Sequence, residues 1–302
     1  MSALQLGLMG FPLGHSYSPL LHRAALNTMG IEGEYRLYPV PPLPEGRQAW
    51  QTIFTRLRAG SLHGLNVTIP HKQAVMAEVD VCEDEARIIG AVNTLGRDTH
   101  DRLWGANTDA PGFLRDLYAQ LGNALPACGG RALVLGAGGA ARAVVFALIQ
   151  ANWEVWVCAR RGEQAQFLRD ALRASLPSAA LDALEGIPPL GGLPPRLNLL
   201  VNATPLGMSP YAEAMPWDAS LPLPEGTAVY DLVYNPRQTR LMTFARSCGA
   251  PAAGGLGMLV EQAALALERW TGQTAPRSAM WQALEELPPA EDSARDKPME
   301  EG

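Results

Sequence analysis

Apolar and polar positions along this chain keep two rhythms. Residues 4–10, 35–40 and 62–68 are short apolar runs with the length and composition of buried strands. Between them, apolar residues recur at helical spacing. One such stretch opens at Ser18-Pro19 and closes at Gly30. Serine suits an N-cap there, proline the first helical position and glycine the C-terminal cap. A second covers residues 44–58, with Trp50, Ile53, Phe54 and Leu57 on one stripe and a stop at Gly60. Those aromatics read as core. Pro70 is expected to start another helix, and residues 80–89 to be helical with an acidic outer face. Residues 91–95 and 103–106 are expected to pair as a hairpin across the polar 96–102 segment, before a helix over 111–121.

Residues 122–130, rich in Gly, Pro and Ala, mark a boundary. The pattern then restarts as strand 131–135, helix 142–151, strand 153–158 and helix 163–176. Strands at 197–201 and 228–233 follow, with a helix at 241–247. Residues 187–195 and 206–224 read as loops, Trp217 packing against a helix. Gly254-Gly255-Leu256-Gly257 is a turn opening a long helix, 258–271, and a last helix spans 277–287. The charged, apolar-poor tail, 288–302, is expected to be disordered. Strands alternating with helices place the chain in the α/β class, and no internal repeat is visible.

Composition narrows the function classes. At 302 residues the chain accommodates two domains, and 18% charged against 47% apolar residues is a globular balance. A net charge of −6 argues against a general nucleic-acid partner while allowing a local cationic pocket for a small anion. Cys82, Cys128, Cys158 and Cys248 form no CxxC pair, so no metal is expected. The most apolar segment, 132–149, is broken by Arg142 and several glycines, which argues against a membrane span. The start shows no charged and then apolar leader pattern, so a cytoplasmic protein with reduced thiols is the expectation.

Three constellations carry candidate chemistry. Gly136-Ala137-Gly138-Gly139-Ala140-Ala141 stands between a strand and a helix, as the G-x-G-x-x-A dinucleotide fingerprint requires. Its backbone can approach a pyrophosphate at the helix's positive end, whereas a plain glycine linker has no such flanks. At the next strand's tip a free ribose 2′-OH calls for an acid, but the residues are Ala159-Arg160-Arg161. Two guanidinium groups suit a 2′-phosphate, hence NADP(H), unless both are merely solvated. Lys72 and Asp109 lie at the ends of apolar runs in the stretch 66–109, where they form either a proton relay or a surface salt bridge. Ser16 and Ser18 sit at a strand-to-helix junction, as an anion site or with Ser18 as a simple cap.

With these residues in view, the chain to about residue 287 resembles the shikimate dehydrogenase family. The family's Ser-x-Ser matches Ser16-Tyr17-Ser18, and its Asn-Val-Thr-x-Pro-x-Lys matches Asn66 to Lys72. Gly-Ala-Val-Asn-Thr matches Gly90 to Thr94, Asn-Thr-Asp matches Asn107 to Asp109, and Gly-x-Gly-Met-Leu-Val-x-Gln-Ala matches Gly255 to Ala263. The resemblance implies an N-terminal α/β substrate-binding and catalytic domain with a mostly parallel sheet, 1–112, completed by helices at 258–287. It implies a Rossmann-like NADP-binding domain at 113–257. Lys72 and Asp109 would be the acid–base pair. Ser16 and Ser18 would hold the substrate carboxylate, while Thr68, Asn93, Tyr234 and Gln262 would bind ring hydroxyls and carboxylate.

The cofactor would lie on Gly136, Ala137, Gly138, Gly139 and Ala140, with Ala159, Arg160 and Arg161 at its 2′-phosphate. Leu232 and Gly255 would flank the nicotinamide, and Asp84 would reach the cofactor from the first domain. The family commonly carries Asn-Arg-Thr and a further basic residue where this chain has Ala159-Arg160-Arg161 and Gln164, so Arg161 is expected to supply the missing charge. The expected partner is a small molecule, shikimate or 3-dehydroshikimate, and the expected state a monomer or homodimer. Two rivals stand beside this reading: a quinate/shikimate dehydrogenase, and a non-catalytic NADP-sensing module on the same fold.

Overall fold

Two six-stranded sheets organise the protein, whose computed structural model describes residues 3–14, 16–187, 192 and 196–287. The first sheet and its helices run β1 (Leu4–Gly10), α1 (Ser18–Met29), β2 (Gly33–Pro39), α2 (Arg47–Arg58), β3 (Gly64–Val67), β4 (Val81–Cys82), α3 (Asp84–Ile89), β5 (Thr94–Arg97), β6 (Leu103–Ala106) and α4 (Asp109–Leu121). Its order is β2-β1-β3-β5-β6-β4, parallel except where β5 runs against β3 and β6. The second set runs β7 (Arg131–Leu135), α5 (Gly139–Gln150), β8 (Glu154–Ala159), α6 (Gly162–Ser175), β9 (Leu181–Glu185), β10 (Leu199–Asn202), β11 (Ala228–Asp231), α7 (Arg240–Ser247), β12 (Ala252–Gly254), α8 (Leu256–Thr271) and α9 (Arg277–Glu285). Its strands are all parallel, in the order β12-β11-β10-β7-β8-β9. The chain enters in the middle, winds out to β9, then returns beside β7 and winds the other way. That doubly wound order puts a crevice between the ends of β7 and β10.

Local chemistry sets these elements. Pro19 sits in the first turn of α1, and Gly30, at φ 66°, closes it with N–H bonds to Asn27 and Leu26 carbonyls. The inner face of α1 buries Leu21 and Leu26 completely, each worth roughly 1.5–3 kcal/mol of apolar burial. Helices α8 and α9 return to the first sheet, where Val260, Ala263, Leu267 and Met280 pack with Leu6, Leu8 and Leu21. Trp270 Nε1 donates to the Leu95 carbonyl at 2.9 Å, and a Cβ on Gly64 would stand 2.4 Å from the Trp270 ring. Helix α4 runs between the sheets against α8: Gly112 leaves space for Gln262, and Gly257 leaves space for the Asp116 carboxylate.

Several expectations change in detail. No α-helix starts at Pro70; a turn leads instead to a short 3-10 helix, Ala74–Ala77, because His71 and Lys72 turn inward. Residues 80–89 are not one helix: Val81–Cys82 pairs with β6 before α3 begins at Asp84. Ser18 is not a side-chain N-cap; it is the first helical residue, and its N–H instead approaches Ser16 Oγ at 3.3 Å. The hairpin forms with its first strand shifted to Thr94–Arg97, since Asn93 is drawn into side-chain bonds. Strands β9 and β12 were not expected; both are short, lie at sheet edges and lack an alternating apolar signal. Trp217 is buried with Leu241 and Ala245 of α7, as expected. The expected loop at 187–195 falls largely outside the described residues, and the tail 288–302 lies wholly outside them. No described helix is long and apolar enough to cross a membrane.

Candidate active site

The turn after β3 fixes one lysine from several directions. Thr68 N donates to Met9 O at 2.9 Å, and His71 N donates to Thr68 O at 3.0 Å. The buried His71 ring lies edge-on to Trp50, and its Nε2 is 2.7 Å from Val40 O. A carbonyl only accepts, so Nε2 carries the proton. The Lys72 carbonyl takes the Val92 N–H at 2.7 Å. With its backbone held, Lys72 places Nζ 2.6 Å from Asp109 Oδ2, the two side chains being 12% and 5% exposed. Asp109 is the first residue of α4, where a helix's positive end favours a carboxylate. This is a largely desolvated pair, unlike an exposed surface bridge.

Asn93 holds the other carboxylate oxygen. Its Nδ2 donates to Asp109 Oδ1 at 2.8 Å and to Thr108 Oγ1 at 2.9 Å. Its Oδ1 accepts the Thr108 N–H at 2.8 Å, which fixes the amide's orientation because a backbone N–H only donates. Asn107 ties its side chain to Ala91 O and Ala110 N, bracing the start of α4.

The remaining residues named for the substrate lie on several elements. Thr68 is half-buried, and its hydroxyl makes no hydrogen bond among the described residues. Ser16 and Ser18 sit at the entry to α1, on either side of Tyr17. The Tyr17 ring meets that of Tyr234 at 5.6 Å, linking the α1 entry to the segment after β11. Burial, with Tyr17 alongside, pushes the Tyr234 phenol up to about 12, so it stays a hydroxyl donor at neutral pH. Gln262, in the second turn of α8, donates to the Leu259 carbonyl at 2.9 Å and packs against Gly112.

The glycine-rich turn faces the same gap. Gly136 takes φ 113°, and a Cβ there would stand 2.9 Å from the Ala203 carbonyl beyond β10. Gly138 caps α5, and no heavy atom lies within 4 Å of its missing Cβ, so open space stands over the helix's N–H groups. Gly139 approaches Lys72: its missing Cβ would be 3.0 Å from the lysine Cβ. Ala137 and Ala140 are partly exposed beside them. Ala159 is buried at the tip of β8, while Arg160 and Arg161 are exposed, with side chains unpaired among the described residues. A 2′-phosphate would be met there by two free guanidinium groups, and a pyrophosphate by an open helix N-terminus, so the donor set fits NADP(H).

Leu232 and Gly255 are in direct contact, since a Cβ on Gly255 would stand 2.2 Å from Leu232 O. Asp84 is exposed at the start of α3 and paired to Arg87 at 2.5 Å. Among the described residues no cluster of His, Cys, Asp or Glu could hold a metal ion.

Two buried groups beside the site escaped sequence reasoning. Asp231 closes β11, accepting from Asn202 Nδ2 at 2.8 Å, Thr239 Oγ1 at 2.7 Å and Val233 N at 3.1 Å. Burial raises its pKa to about 6 despite those donors, and they fix the backbone on either side of Leu232. Arg142, on α5, is buried without a carboxylate partner among the described residues. It reaches the Ile89 carbonyl at 3.4 Å and the Phe167 ring, and burial lowers its pKa. The aspartate's place at a strand end could have flagged the first, and the second is the one charge that interrupts the apolar run 132–149.

Comparison with known proteins gives the family and the fold. A family model described as the shikimate dehydrogenase substrate binding domain matches residues 8–95, and one described as the shikimate 5'-dehydrogenase C-terminal domain matches residues 255–285. The shikimate dehydrogenase (NADP(+)) of Salinibacter ruber is 42% identical over 283 residues, covering 92% of this chain and 95% of its own. Shikimate 5-dehydrogenase from Thermus thermophilus, solved in complex with NADP(H) and shikimate, superposes with a TM-score of 0.78 at 39% identity, covering 93% of this chain and 98% of that one. Quinate dehydrogenase from Corynebacterium glutamicum, in complex with NAD, superposes with a TM-score of 0.84 at 30% identity, covering 94% and 99%.

Proposed function

The chain belongs to the shikimate dehydrogenase family, and from that premise we propose that it catalyses the NADP-dependent, reversible reduction of 3-dehydroshikimate to shikimate. The observation that carries the reading is the buried Lys72–Asp109 pair facing the glycine-rich turn across the Gly139 contact. NADP(H), when bound, supplies or takes up the hydride. The Lys72 ammonium gives the ring carbonyl oxygen its proton in the reducing direction and recovers it in the other. Asp109 orients that ammonium and accepts from the same hydroxyl, itself held by Asn93. Ser16 and Ser18 hold the substrate carboxylate. Thr68, Tyr234 and Gln262 bind it and the ring hydroxyls as neutral donors and acceptors, a set suited to a ligand with one charge.

We also take Arg160 and Arg161 as the 2′-phosphate site, Gly136 to Ala140 as the pyrophosphate site, Leu232 and Gly255 as the nicotinamide wall, and Asp84 as a cofactor contact from the first sheet. The domain division we favour is 1–112 with 258–287 for substrate and 113–257 for cofactor. Its supports are the return of α8 and α9 to the first sheet and the completeness of the second sheet between β7 and β12. The working protein is taken as cytoplasmic, a monomer or homodimer.

The likeness to an NAD-bound quinate dehydrogenase sustains one alternative, a quinate/shikimate dehydrogenase. The tip of β8 argues against it, since Ala159-Arg160-Arg161 offers no acid to a ribose 2′-OH. Nicotinamide absorbance, followed with shikimate and with quinate against NADP⁺ and NAD⁺, decides the matter. Shikimate with NADP⁺ is expected to give the highest kcat/KM. A preference for quinate with NAD⁺ would select the alternative, and no turnover with any pair would leave only a sensing module.

A further inference from the structure

Behind the Lys72–Asp109 pair the first sheet buries a run of polar side chains outside the set proposed above for the substrate. Tyr35 on β2, Asn66 on β3 and Thr94 on β5 are all buried. Register brings them into line: Tyr35 pairs with Leu6 and Asn66 with Leu8 on the intervening strand, while Asn66 and Thr94 are direct antiparallel partners. Buried polar groups across a sheet are costly unless every one is bonded. Here each is.

We propose that Tyr35 is a positioning residue for the proton-transfer pair, its hydroxyl starting a one-way run of hydrogen bonds through Asn66, Thr94 and Asn93 that ends on Asp109. Tyr35 OH donates to Asn66 Oδ1 at 2.8 Å, and Asn66 Nδ2 donates to Thr94 Oγ1 at 3.2 Å. Thr94 Oγ1 donates to Asn93 Oδ1 at 3.0 Å, and Asn93 Nδ2 donates to Asp109 Oδ1 at 2.8 Å.

Backbone groups fix this direction. Asn66 Nδ2 also meets the Asn93 carbonyl at 3.2 Å, which only accepts, so Asn66 must turn Oδ1 to the phenol and the phenol must donate. At the far end the Thr108 N–H fixes the Asn93 amide the same way. The Asn93 Oδ1 fixed in this way only accepts, so the Thr94 hydroxyl donates to it, and the Thr108 hydroxyl, 3.2 Å from Thr94 Oγ1, accepts from Asn93 Nδ2 and turns its own proton to Thr94. Hydrogen bonds aligned head to tail polarise one another, and all of these point at the carboxylate that faces Lys72.

The upstream end is closed to water. The His22 ring stacks on Tyr35 at 4.1 Å and 6°, and burial lowers its pKa to about 3, so a neutral ring covers the phenol. Ser18 also approaches the phenol, opposing part of the burial that raises its pKa. Lys72 is the cation at the other end.

This role rests on the reading of Lys72 and Asp109 as the acid–base pair, and one set of variants tests both. Wild type, Tyr35→Phe, Thr94→Val, Thr94→Ser and the double variant Tyr35→Phe/Thr94→Val are compared with shikimate and NADP⁺, each first checked for native circular dichroism. Tyr35→Phe is expected to lower kcat roughly 3–10-fold, the worth of one buried hydrogen bond, with KM for shikimate within about 2-fold. Thr94→Val, which breaks the run closer to Asp109, loses as much or more, and Thr94→Ser restores the rate by keeping the hydroxyl. The double variant is no slower than Thr94→Val alone, because a broken run transmits nothing from Tyr35.

An active wild type whose Tyr35→Phe form keeps full kcat overturns the relay and leaves the function standing. Losses that multiply independently, or a Thr94→Ser form as slow as Thr94→Val, overturn it too. If Tyr35→Phe does not fold, the two Thr94 variants decide by the same rule. A folded wild type inert to shikimate overturns both readings.

Discussion

A Cβ on Gly139 would lie 3.0 Å from Lys72 Cβ and 3.2 Å from Lys72 Cδ, so the fourth residue of the glycine-rich turn is the wall against which the lysine stem rests. The two sheets therefore meet at Lys72, the proposed proton donor, and the turn shapes the lysine as well as forming the proposed pyrophosphate site. Gly138, one residue earlier, has nothing within 4 Å of its missing side chain.

The neighbouring glycines should fail differently. Gly139→Ala displaces the lysine stem by a few tenths of an ångström, and kcat is expected to fall about 10-fold or more, as positioning errors near chemistry do. Gly138→Ala leaves the lysine alone and crowds only the open space over α5, so KM for NADP⁺ rises while kcat changes less. Steady-state kinetics with each substrate varied separates the two patterns. The reverse assignment would contradict the contact.

Arg160 and Arg161 should set cofactor choice together. Their side chains are unpaired among the described residues, so nothing structural is lost when they are removed. The double alanine variant is expected to lose roughly 10–100-fold in kcat/KM for NADP⁺, each charge-assisted bond contributing about 1.5–3 kcal/mol at most, and little for NAD⁺. Equal losses with both cofactors would remove the 2′-phosphate assignment.

His22 should give the fold an acid-side weakness. Burial holds its pKa near 3, against an ordinary 6.5, with the neighbouring Asn66 side chain opposing only part of that shift, and neither ring nitrogen reaches a partner in hydrogen-bonding geometry among the described residues. Below pH 6.5 the unfolded chain takes up a proton that the folded one refuses. The stability held by neutral His22 is therefore complete above that pH and drains as pH falls towards 3, at roughly 1.4 kcal/mol per pH unit. Urea unfolding at pH 7 and pH 5 should show His22→Phe losing roughly 2 kcal/mol less than wild type over that interval. Parallel losses would place the ring in water.

Much of this was legible in the residues. The α/β class followed from strand–helix alternation, and the glycine turn from its flanking pattern, because these signals are local; the order of strands in either sheet did not. The pairing of Lys72 with Asp109 was only one of two readings, since they lie 37 positions apart with a hairpin between them. The His71 anchor, the bonds around Asn93 and the Tyr35–Asn66 link stayed hidden for the same reason: each depends on register between strands, which no short window encodes. Pro70 misled because a proline at a first helical position looks the same when the following turn is drawn inward by buried His71. Strands β9 and β12 were missed as short edge strands whose neighbours, not their own sequence, hold them in the sheet.

The most direct test is the turnover of Lys72→Ala with shikimate and NADP⁺ beside wild type, under saturating concentrations of both. A group that moves the proton typically contributes 10²–10⁴-fold, so kcat is expected to fall by roughly that factor while KM for shikimate changes far less. A folded Lys72→Ala protein turning over at near the wild-type rate would contradict the account at its root.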